Sequence, residues 1–324
     1  MIRIRTQSRL HLGLFSLPTD RANAWLNYEG QPAWRRRQFG GVGLMIDKPG
    51  IELTVALAKT WSGEGPLAQR ALHFAQTYCQ AVGSKEAFHV HVDSAAPEHA
   101  GLGTGTQLGL AVARAIADLT EQPARDAGTL ARCVGRGRRS AIGVHGFELG
   151  GFLVEGGKTS DTAVSPLLLR HDFPNDWHIL LITPRDWHGT HGCREIEAFC
   201  DLMIQERDDR TTETLCRLVL LGMLPALIER DLPAFGEAIY DFNRRVGEMF
   251  QSVQGGIYAH PRIEEIVKIL RGAGVKGVGQ SSWGPTVFAL GAAQQMIELR
   301  DWLIDKKGIP RDQIIITPAG SRGV

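Results

Sequence analysis

The placement of glycine is the sequence feature that most constrains how this chain can fold. The chain has 324 residues and 38 glycines, where an average usage of about 7% predicts roughly 23. Twenty of the glycines fall in four short segments, at residues 40–43, 101–109, 135–157 and 272–284. They show no three-residue period, so a collagen helix is excluded. Glycines grouped in this way serve tight turns or bring the backbone close to a ligand.

Composition and charge indicate an ordinary globular protein. Hydrophobic residues make up 43% and charged residues 22%, a balance that excludes disordered and fibrous classes. The formal net charge is +1, so no overall field attracts nucleic acid or an anionic membrane, and we expect neither as a partner. The five cysteines are scattered, which is typical of reduced thiols. With no leader-like segment at the N-terminus, the sequence predicts a soluble, cytoplasmic protein.

The hydrophobic pattern predicts an α+β fold with two domains. Alternating residues predict strands at residues 2–6, 10–15, 51–57 and 88–92, and helical spacing predicts a helix over residues 108–119. Further helices are expected at about residues 193–207, 211–229 and 233–251. Strands and helices do not alternate regularly, so a doubly wound parallel sheet is disfavoured. A polar, proline-containing stretch near residues 158–176 predicts domains at 1–165 and 166–324.

The strongest local signal is a glycine loop between a strand and an apolar helix, at residues 97–106. Such a loop presents free backbone N–H groups and the positive end of the helix dipole, which is an anion site and most often a phosphate site. No Gly-Lys-Ser/Thr follows, so the loop is not a P-loop. The loop residues expected to contact phosphate are Gly101, Gly103, Thr104, Gly105 and Thr106.

Two other patterns resemble ligand motifs without the context these require. Gly272-x-Gly274-x-x-Gly277 matches the dinucleotide fingerprint, but it follows a helix and precedes a strand, the reverse of a Rossmann unit. His188-x-x-His191 with Cys193 has metal-like spacing but lacks further clustered ligands, and we expect no metal there. The pair His89-x-His91 lies on a strand face and is expected to be non-functional.

Three spaced motifs resemble those of the GHMP kinase superfamily. They are residues 8–13 (SRLHLG), the glycine loop at 97–106, and a late polar glycine turn at 277–284. Residues 39–44 (FGGVGL), 135–143 (GRGRRSAIG), 147–152 (FELGGF) and 279–286 (GQSSWGPT) are most similar to a non-kinase branch of that superfamily. This branch is the β-ribofuranosylaminobenzene 5′-phosphate synthases.

The resemblance implies a fold, an active site and a reaction. The fold has a mixed-sheet N-terminal domain and a ferredoxin-like C-terminal α/β sandwich, with the active site between them. In the implied reaction, 4-hydroxybenzoate or 4-aminobenzoate attacks phosphoribosyl pyrophosphate, and pyrophosphate and carbon dioxide are released, an early step of tetrahydromethanopterin synthesis. An ATP-dependent small-molecule kinase and an inactive, ligand-binding relative are the alternatives. A homodimer is also possible.

Departures from the kinase pattern favour the synthase. Gly105 stands where the kinases usually carry a second hydroxyl residue, and Thr106-Gln107 replaces the small residues that usually follow. The catalytic Asp of many family kinases is expected within residues 143–151, where Glu148 is the only acid.

The implied donor carries close to five negative charges, so it requires backbone N–H groups, arginines and Mg²⁺. We expect Arg136, Arg138 and Arg139 to bind phosphate or carboxylate; the alternative for such a run is a solvated basic loop. The run at Arg35, Arg36 and Arg37 is interpreted as surface. The resemblance adds Ser8 and Arg9 to the binding residues.

Loss of pyrophosphate gives an oxocarbenium-like sugar, which a nearby carboxylate would stabilise. Glu148 and Glu98 are the candidates, although Glu98 could also be a first-turn helix acid. His11 is a candidate acid or base, or else an ordinary strand histidine. For the benzoate ring, Trp283 could stack on its face or fill the core. The residues expected at the ring substituents are Gln280, Ser281 and Ser282.

Overall fold

The computed structural model describes residues 1–17, 37–123, 125–159, 164–185, 197–198, 201–202 and 209–324. Arg35, Arg36, the His188/His191/Cys193 group and most of the helix expected at 193–207 lie outside these ranges.

The first half of the chain builds a six-stranded sheet with helices against it. The sheet has the order β3-β4-β2-β5-β6, and β1 pairs with β2. All pairs are antiparallel except β3 with β4, so the sheet is mixed as expected. The strands are β1 (Ile2–Leu14), β2 (Gly41–Ala58), β3 (Ser62–Glu64), β4 (Ala87–Ser94), β5 (Phe152–Glu155) and β6 (Leu167–His171). The helices are α1 (Ala68–Val82), α2 (Thr104–Leu119), α3 (Ala127–Cys133) and α4 (Ile142–Leu149).

The first strand is longer than the sequence pattern predicts. Residues 2–6 and 10–15 were expected as two strands, but β1 runs continuously over 13 residues. Its register against β2 shifts between Thr6 and Ser8 and again between His11 and Gly13. These bulges interrupt the alternation of apolar and polar residues, which is why the pattern suggested a break.

The second half contains a four-stranded antiparallel sheet with the order β10-β7-β9-β8. Its strands are β7 (Trp177–Ile182), β8 (Gly277–Gln280), β9 (Val287–Ala292) and β10 (Ile314–Pro318). Its helices are α5 (Asp209–Arg217), α6 (Leu224–Ile228), α7 (Leu232–Gln254), α8 (Pro261–Gly272) and α9 (Ala293–Lys307). A π-helical turn, Leu218–Met223, joins α5 to α6. The glycines that match the dinucleotide fingerprint, residues 272–277, lie where α8 ends and β8 begins. A helix therefore precedes a strand there, as the sequence predicted.

The two halves share one hydrophobic core. Strand β6 pairs with β5, so the first sheet continues to His171, past the expected boundary at 165. Phe152 of the first sheet packs edge to face against Phe235 of α7, with ring centroids 5.8 Å apart. The chain after β10 returns to the first half, where Ala319 forms a bridge with Ile46. The two halves are therefore packed directly against each other.

One described helical stretch, Arg210–Ile228, is long and apolar enough by length and composition to cross a membrane. Val219, Met223 and Leu227 on this stretch are buried in the shared core. Leu220, Leu221 and Ile228 on the same stretch are exposed, so one face of it packs on the core and the other does not.

Candidate active site

Three separate segments of the chain meet at one place, as the motif spacing suggested. The backbone N–H of Arg9 in β1 donates to the carbonyl of Leu102 in the glycine loop, at 2.9 Å. The Ser281 hydroxyl donates to the carbonyl of Gly101 at 2.7 Å and accepts the backbone N–H of His11 at 3.1 Å. Residues 8–13, 97–106 and 277–284 are thus directly hydrogen-bonded to one another.

Two glycines make this meeting possible. A Cβ on Gly101 would lie 2.1 Å from the carbonyl oxygen of Ser281, and a Cβ on Gly284 would lie 2.2 Å from the backbone of Ala100 and Gly101. Gly101 also has a positive φ of +79°, which disfavours other residues. Close approach of two backbones therefore accounts for one glycine in each of these clusters.

The glycine loop leads into α2 through Gly103, which is left-handed at φ +73°. The Thr104 hydroxyl donates to the carbonyl of Pro97 at 2.8 Å, so it closes the loop. Gln107 donates its side-chain amide to the carbonyl of Gly143 at 2.7 Å and fixes the start of α4. Gln107, which stands where the family kinases carry a small residue, therefore has a structural role. Thr106 lies on the same turn, with its side chain near Gly143.

Three arginines converge on this loop. A Cβ on Gly103 would lie 3.1 Å from Arg9 Nε, and a Cβ on Gly105 would lie 2.4 Å from Arg70 Nη2 and 3.1 Å from Arg136 Nη2. Three guanidinium groups beside a helix N-terminus form an anion site suited to phosphate. Sequence reasoning missed Arg70, because it lies on α1 outside every motif.

The other predicted phosphate contacts are placed less directly. Arg138 is exposed and Arg139 is half-buried. Ser8 donates its hydroxyl to the carbonyl of Pro49, and Glu98 forms an ion pair with Arg70. Glu98 therefore holds Arg70 beside the loop, and neither Ser8 nor Glu98 is placed as a free group.

A row of polar side chains runs from the buried His11 through the half-buried Ser140 to the buried Glu155. His11 Nε2 lies 3.1 Å from the Ser140 hydroxyl, which donates to Glu155 Oε1 at 2.6 Å. The other carboxylate oxygen, Oε2, accepts the backbone N–H of Ala141 at 2.7 Å. Ser140 donates its one hydroxyl proton to Glu155, so its oxygen acts as the acceptor toward His11. The proton in the hydrogen bond between His11 and Ser140 is therefore carried by His11 Nε2.

Burial sets the charge of both ends of this row. Desolvation, together with the nearby Arg9, lowers the pKa of His11 well below its usual value, so the imidazole is neutral. Desolvation raises the pKa of Glu155 to about 7, although the hydrogen bonds from Ser140 and Ala141 oppose the shift. Glu155 thus exists as acid and carboxylate near neutral pH.

Glu148, the carboxylate expected from sequence, lies elsewhere. It is exposed near the C-terminal end of α4, and its carboxylate faces the N–H of Ala127 at 3.4 Å. Ser140 and Ala141 precede the opposite end of that helix, so Glu155 takes the buried position. The available signal was a lone acid ending the otherwise apolar strand Phe152–Glu155.

An apolar cavity of about 60 Å³ opens beside His11. Since one water needs about 10–15 Å³ on this measure, the cavity has room for several waters or a single ring. Trp283 lines it and packs edge to face on Phe250, with ring centroids 5.1 Å apart. Trp283 therefore fills the core and also presents a surface to the cavity.

The remaining predicted ring contacts form the cavity wall. The Gln280 side chain accepts the N–H of Ala259 and donates to the carbonyl of Ser282, both at 3.0 Å. Asn243 of α7, which sequence reasoning missed, donates to the carbonyls of Leu12 and Gln280. These bonds tie α7, β1 and β8 together, and both Gln280 and Ser282 line the cavity, as predicted.

Metal ligands are not grouped at this site. Among the described residues, three potential ligands come together at Glu64, His89 and His91, on the β3–β4 edge. The donor set at the glycine loop is arginine and backbone N–H, which suits anions and not Mg²⁺. The described residues around the glycine loop therefore do not fit a resident magnesium ion.

Comparisons with known proteins agree with this architecture. The sequence matches the family descriptions "GHMP kinases N terminal domain" over residues 67–151 and "GHMP kinases C terminal" over residues 223–300. A β-ribofuranosylphenol 5′-phosphate synthase from Methanothermobacter thermautotrophicus is 34% identical, and the match covers 89% of this chain and 88% of that protein. The chain belongs to this synthase family, within the GHMP kinase superfamily.

A second relative of the same name, from Methanocaldococcus jannaschii, is 31% identical over 99% of this chain and 98% of its own. Solved structures share the fold at lower identity. Mevalonate pyrophosphate decarboxylase from Streptococcus pyogenes aligns at TM-score 0.69 and 12% identity, covering 100% and 98% of the two chains. Homoserine kinase from Cytophaga hutchinsonii aligns at 0.65 and 16%, covering 99% and 96%. The two-domain α+β fold implied by the motifs is confirmed.

Proposed function

We propose that this protein is a decarboxylating phosphoribosyltransferase that joins 4-hydroxybenzoate to phosphoribosyl pyrophosphate and releases carbon dioxide and pyrophosphate. The observation that carries the proposal is that an arginine-lined glycine loop lies beside an apolar cavity with room for one ring. A neutral histidine is part of the cavity wall. The names of the relatives favour the phenol product over the aminobenzene product. A cytoplasmic location and a homodimer remain predictions; the free thiols of Cys79, Cys133 and Cys216 support the first.

The donor binds at the glycine loop in this proposal. Arg9, Arg70 and Arg136 offset the charge of its phosphate groups, and the start of α2 adds backbone N–H donors. The benzoate ring enters the cavity that Trp283 and Phe250 line. Its carboxyl-bearing carbon faces His11 and Ser282, because both are tied to the loop that holds the sugar phosphate.

The chemistry forms one carbon–carbon bond and breaks two bonds. The ring carbon attacks C1 of the sugar while the C1–O bond to pyrophosphate breaks and its electron pair leaves with the pyrophosphate. The ring then carries a positive charge, which the 4-hydroxyl oxygen stabilises by donating a lone pair. Loss of carbon dioxide from the same carbon returns the electron pair to the ring.

The row of polar side chains supports the cationic sugar. A neutral His11 adds no positive charge beside the oxocarbenium-like carbon, and the ionised Glu155 carboxylate places a negative charge behind Ser140. In this proposal Glu155 stabilises the positive charge on the sugar, the role that was expected for Glu148 from the sequence. Mg²⁺ stays a proposal: it would arrive bound to the pyrophosphate of the donor, and no step here depends on a protein ligand for it.

The reaction is tested with carboxyl-labelled 4-hydroxybenzoate, labelled 4-aminobenzoate, phosphoribosyl pyrophosphate and Mg²⁺. We expect carbon dioxide and pyrophosphate in equal amounts from 4-hydroxybenzoate. A parallel incubation with ATP and homoserine or mevalonate measures the kinase alternative. ATP turnover without carbon dioxide release from either acid would overturn the proposal.

A further inference from the structure

The cavity beside His11 has a second polar group that no step above uses. Tyr258 lines the cavity and is 8% exposed. Its hydroxyl is buried and has no hydrogen-bond partner among the described residues. Buried polar groups in folded proteins are nearly always paired, so an unpaired hydroxyl on a cavity wall requires an explanation.

Tyr258 and the pair His11 and Ser282 come from different segments of the wall of the same cavity. Tyr258 lies in the short segment between α7 and α8, whereas His11 and Ser282 belong to the wall that is hydrogen-bonded to the glycine loop. If the carboxyl-bearing carbon faces His11 and Ser282, the substituent in the para position points away from the loop. With the carboxyl group assigned to His11 and Ser282, the 4-substituent is the polar group of the ring that remains for Tyr258.

The hydroxyl stays protonated in this setting. Burial, followed by the neighbouring Tyr240, raises the pKa of Tyr258. It therefore offers one O–H donor and two acceptor lone pairs at neutral pH. A phenolic hydroxyl on the ligand matches both, since it also donates and accepts.

We propose that Tyr258 is a specificity-determining residue that hydrogen-bonds the 4-hydroxyl of the aromatic acceptor. This inference rests on the proposed function for the identity of the ring. A site with a buried hydrogen-bonding group selects strongly against analogues that lack the matching group, because binding them leaves the protein group unpaired. Tyr258 would thereby reject benzoate and other rings without a polar para substituent.

The test measures binding of 4-hydroxybenzoate and of benzoate to the full-length protein by calorimetry. Wild type should bind 4-hydroxybenzoate at least about tenfold more tightly than benzoate, and Tyr258→Phe should reduce that ratio to near one, with benzoate affinity unchanged. Tyr240→Phe is the matched control, since Tyr240 lies on α7 with Arg271 over its ring and does not line the cavity. It should keep the wild-type ratio.

Thermal unfolding of the same variants separates ligand recognition from a structural role. Removing an unpaired buried hydroxyl should leave the melting temperature of Tyr258→Phe unchanged or raised. A lower melting temperature, an unchanged ratio, or an equal loss of affinity for both acids would overturn the inference. Carbon dioxide release by wild type is measured separately. If it is absent while the binding ratio behaves as expected, the proposed reaction fails and the ligand site stands.

Discussion

At the scale of single residues, the site depends on groups whose charge is set by burial. Glu155 is fully buried and its pKa is raised to about 7, while the pKa of His11 is lowered so that the imidazole stays neutral. Neither property can be seen in the sequence, because each depends on elements that meet only in the fold. The histidine was found from its motif, whereas Glu155 belongs to none of the three superfamily motifs.

Because of Glu155, we expect activity and stability to change in opposite directions as the pH rises. Its folded pKa is raised, so the folded state binds the proton more tightly than the unfolded state. Stability from this group is present below about pH 4.5 and is lost as the pH rises toward about 7. Activity should rise over the approach to pH 7 as the carboxylate forms. Glu155→Gln should lower kcat at least about tenfold and flatten both profiles.

Profiles of kcat and of melting temperature between pH 5 and 8 check this prediction. Glu148→Gln is the comparison, because Glu148 is exposed at the far end of α4. It should keep both wild-type profiles. A loss of kcat in Glu148→Gln with normal Glu155→Gln would return the catalytic role to the residue expected from sequence.

We expect the arginines at positions 136 and 138 to contribute differently to donor binding, because they differ in burial. Arg136 lies against the glycine loop and over the ring of Phe74 at 4.9 Å, whereas Arg138 is exposed. Arg136→Ala should raise KM for phosphoribosyl pyrophosphate more than about tenfold, given about 1.5–3 kcal/mol for a charged hydrogen bond. Arg138→Ala should change it by less than about threefold. Initial-rate kinetics at saturating acceptor distinguish the two, and the reverse order would contradict this assignment.

At the scale of elements, the glycine loop and α2 form the unit that sequence predicted best. The loop position, the following helix and its apolar stripe all follow from local pattern. The arginines around the loop could be predicted only in part, since Arg70 comes from α1 and Arg9 from β1. Tertiary contact between elements far apart in sequence is the information that a local pattern lacks.

Gly105→Ala should separate ligand binding from folding. A Cβ there would displace the ends of Arg70 and Arg136, which are flexible, while alanine is a better helix former than glycine. We expect KM for phosphoribosyl pyrophosphate to rise about tenfold with an unchanged or higher melting temperature. Gly272→Ala, with no atom near its Cβ, is the control and should leave KM unchanged. A matched rise in KM in both variants would contradict the geometry.

At the scale of the whole molecule, a hydrophobic cluster spans the two halves. The shared core joins Leu10, Leu44 and Phe152 of the first half to Phe235 and Phe242 of α7. The family motifs implied a mixed-sheet first half and an α/β sandwich in the second half, and the structure has a sheet in each half. The boundary between residues 165 and 166 stays a prediction from a polar stretch, because a core shared by two halves leaves no mark in the local sequence.

Calorimetric unfolding of the full chain should therefore show a single transition, with calorimetric and van't Hoff enthalpies that agree. A chain ending at residue 165 would lack β6 and expose the apolar surface that α7 covers. Two resolved transitions in the full chain would show that the halves are independent.

The contact between Gly101 and Gly284 has a consequence for how such a protein can change over evolutionary time. The two positions are far apart in the chain, yet a methyl group on either would overlap the backbone around the other. Neither can acquire a side chain unless the gap between the halves widens first, and a wider gap would pull Ser281 away from its hydrogen bond to Gly101 in the glycine loop. We therefore expect relatives that catalyse this reaction to keep glycine at both positions, and relatives that have lost the reaction to lose both glycines together.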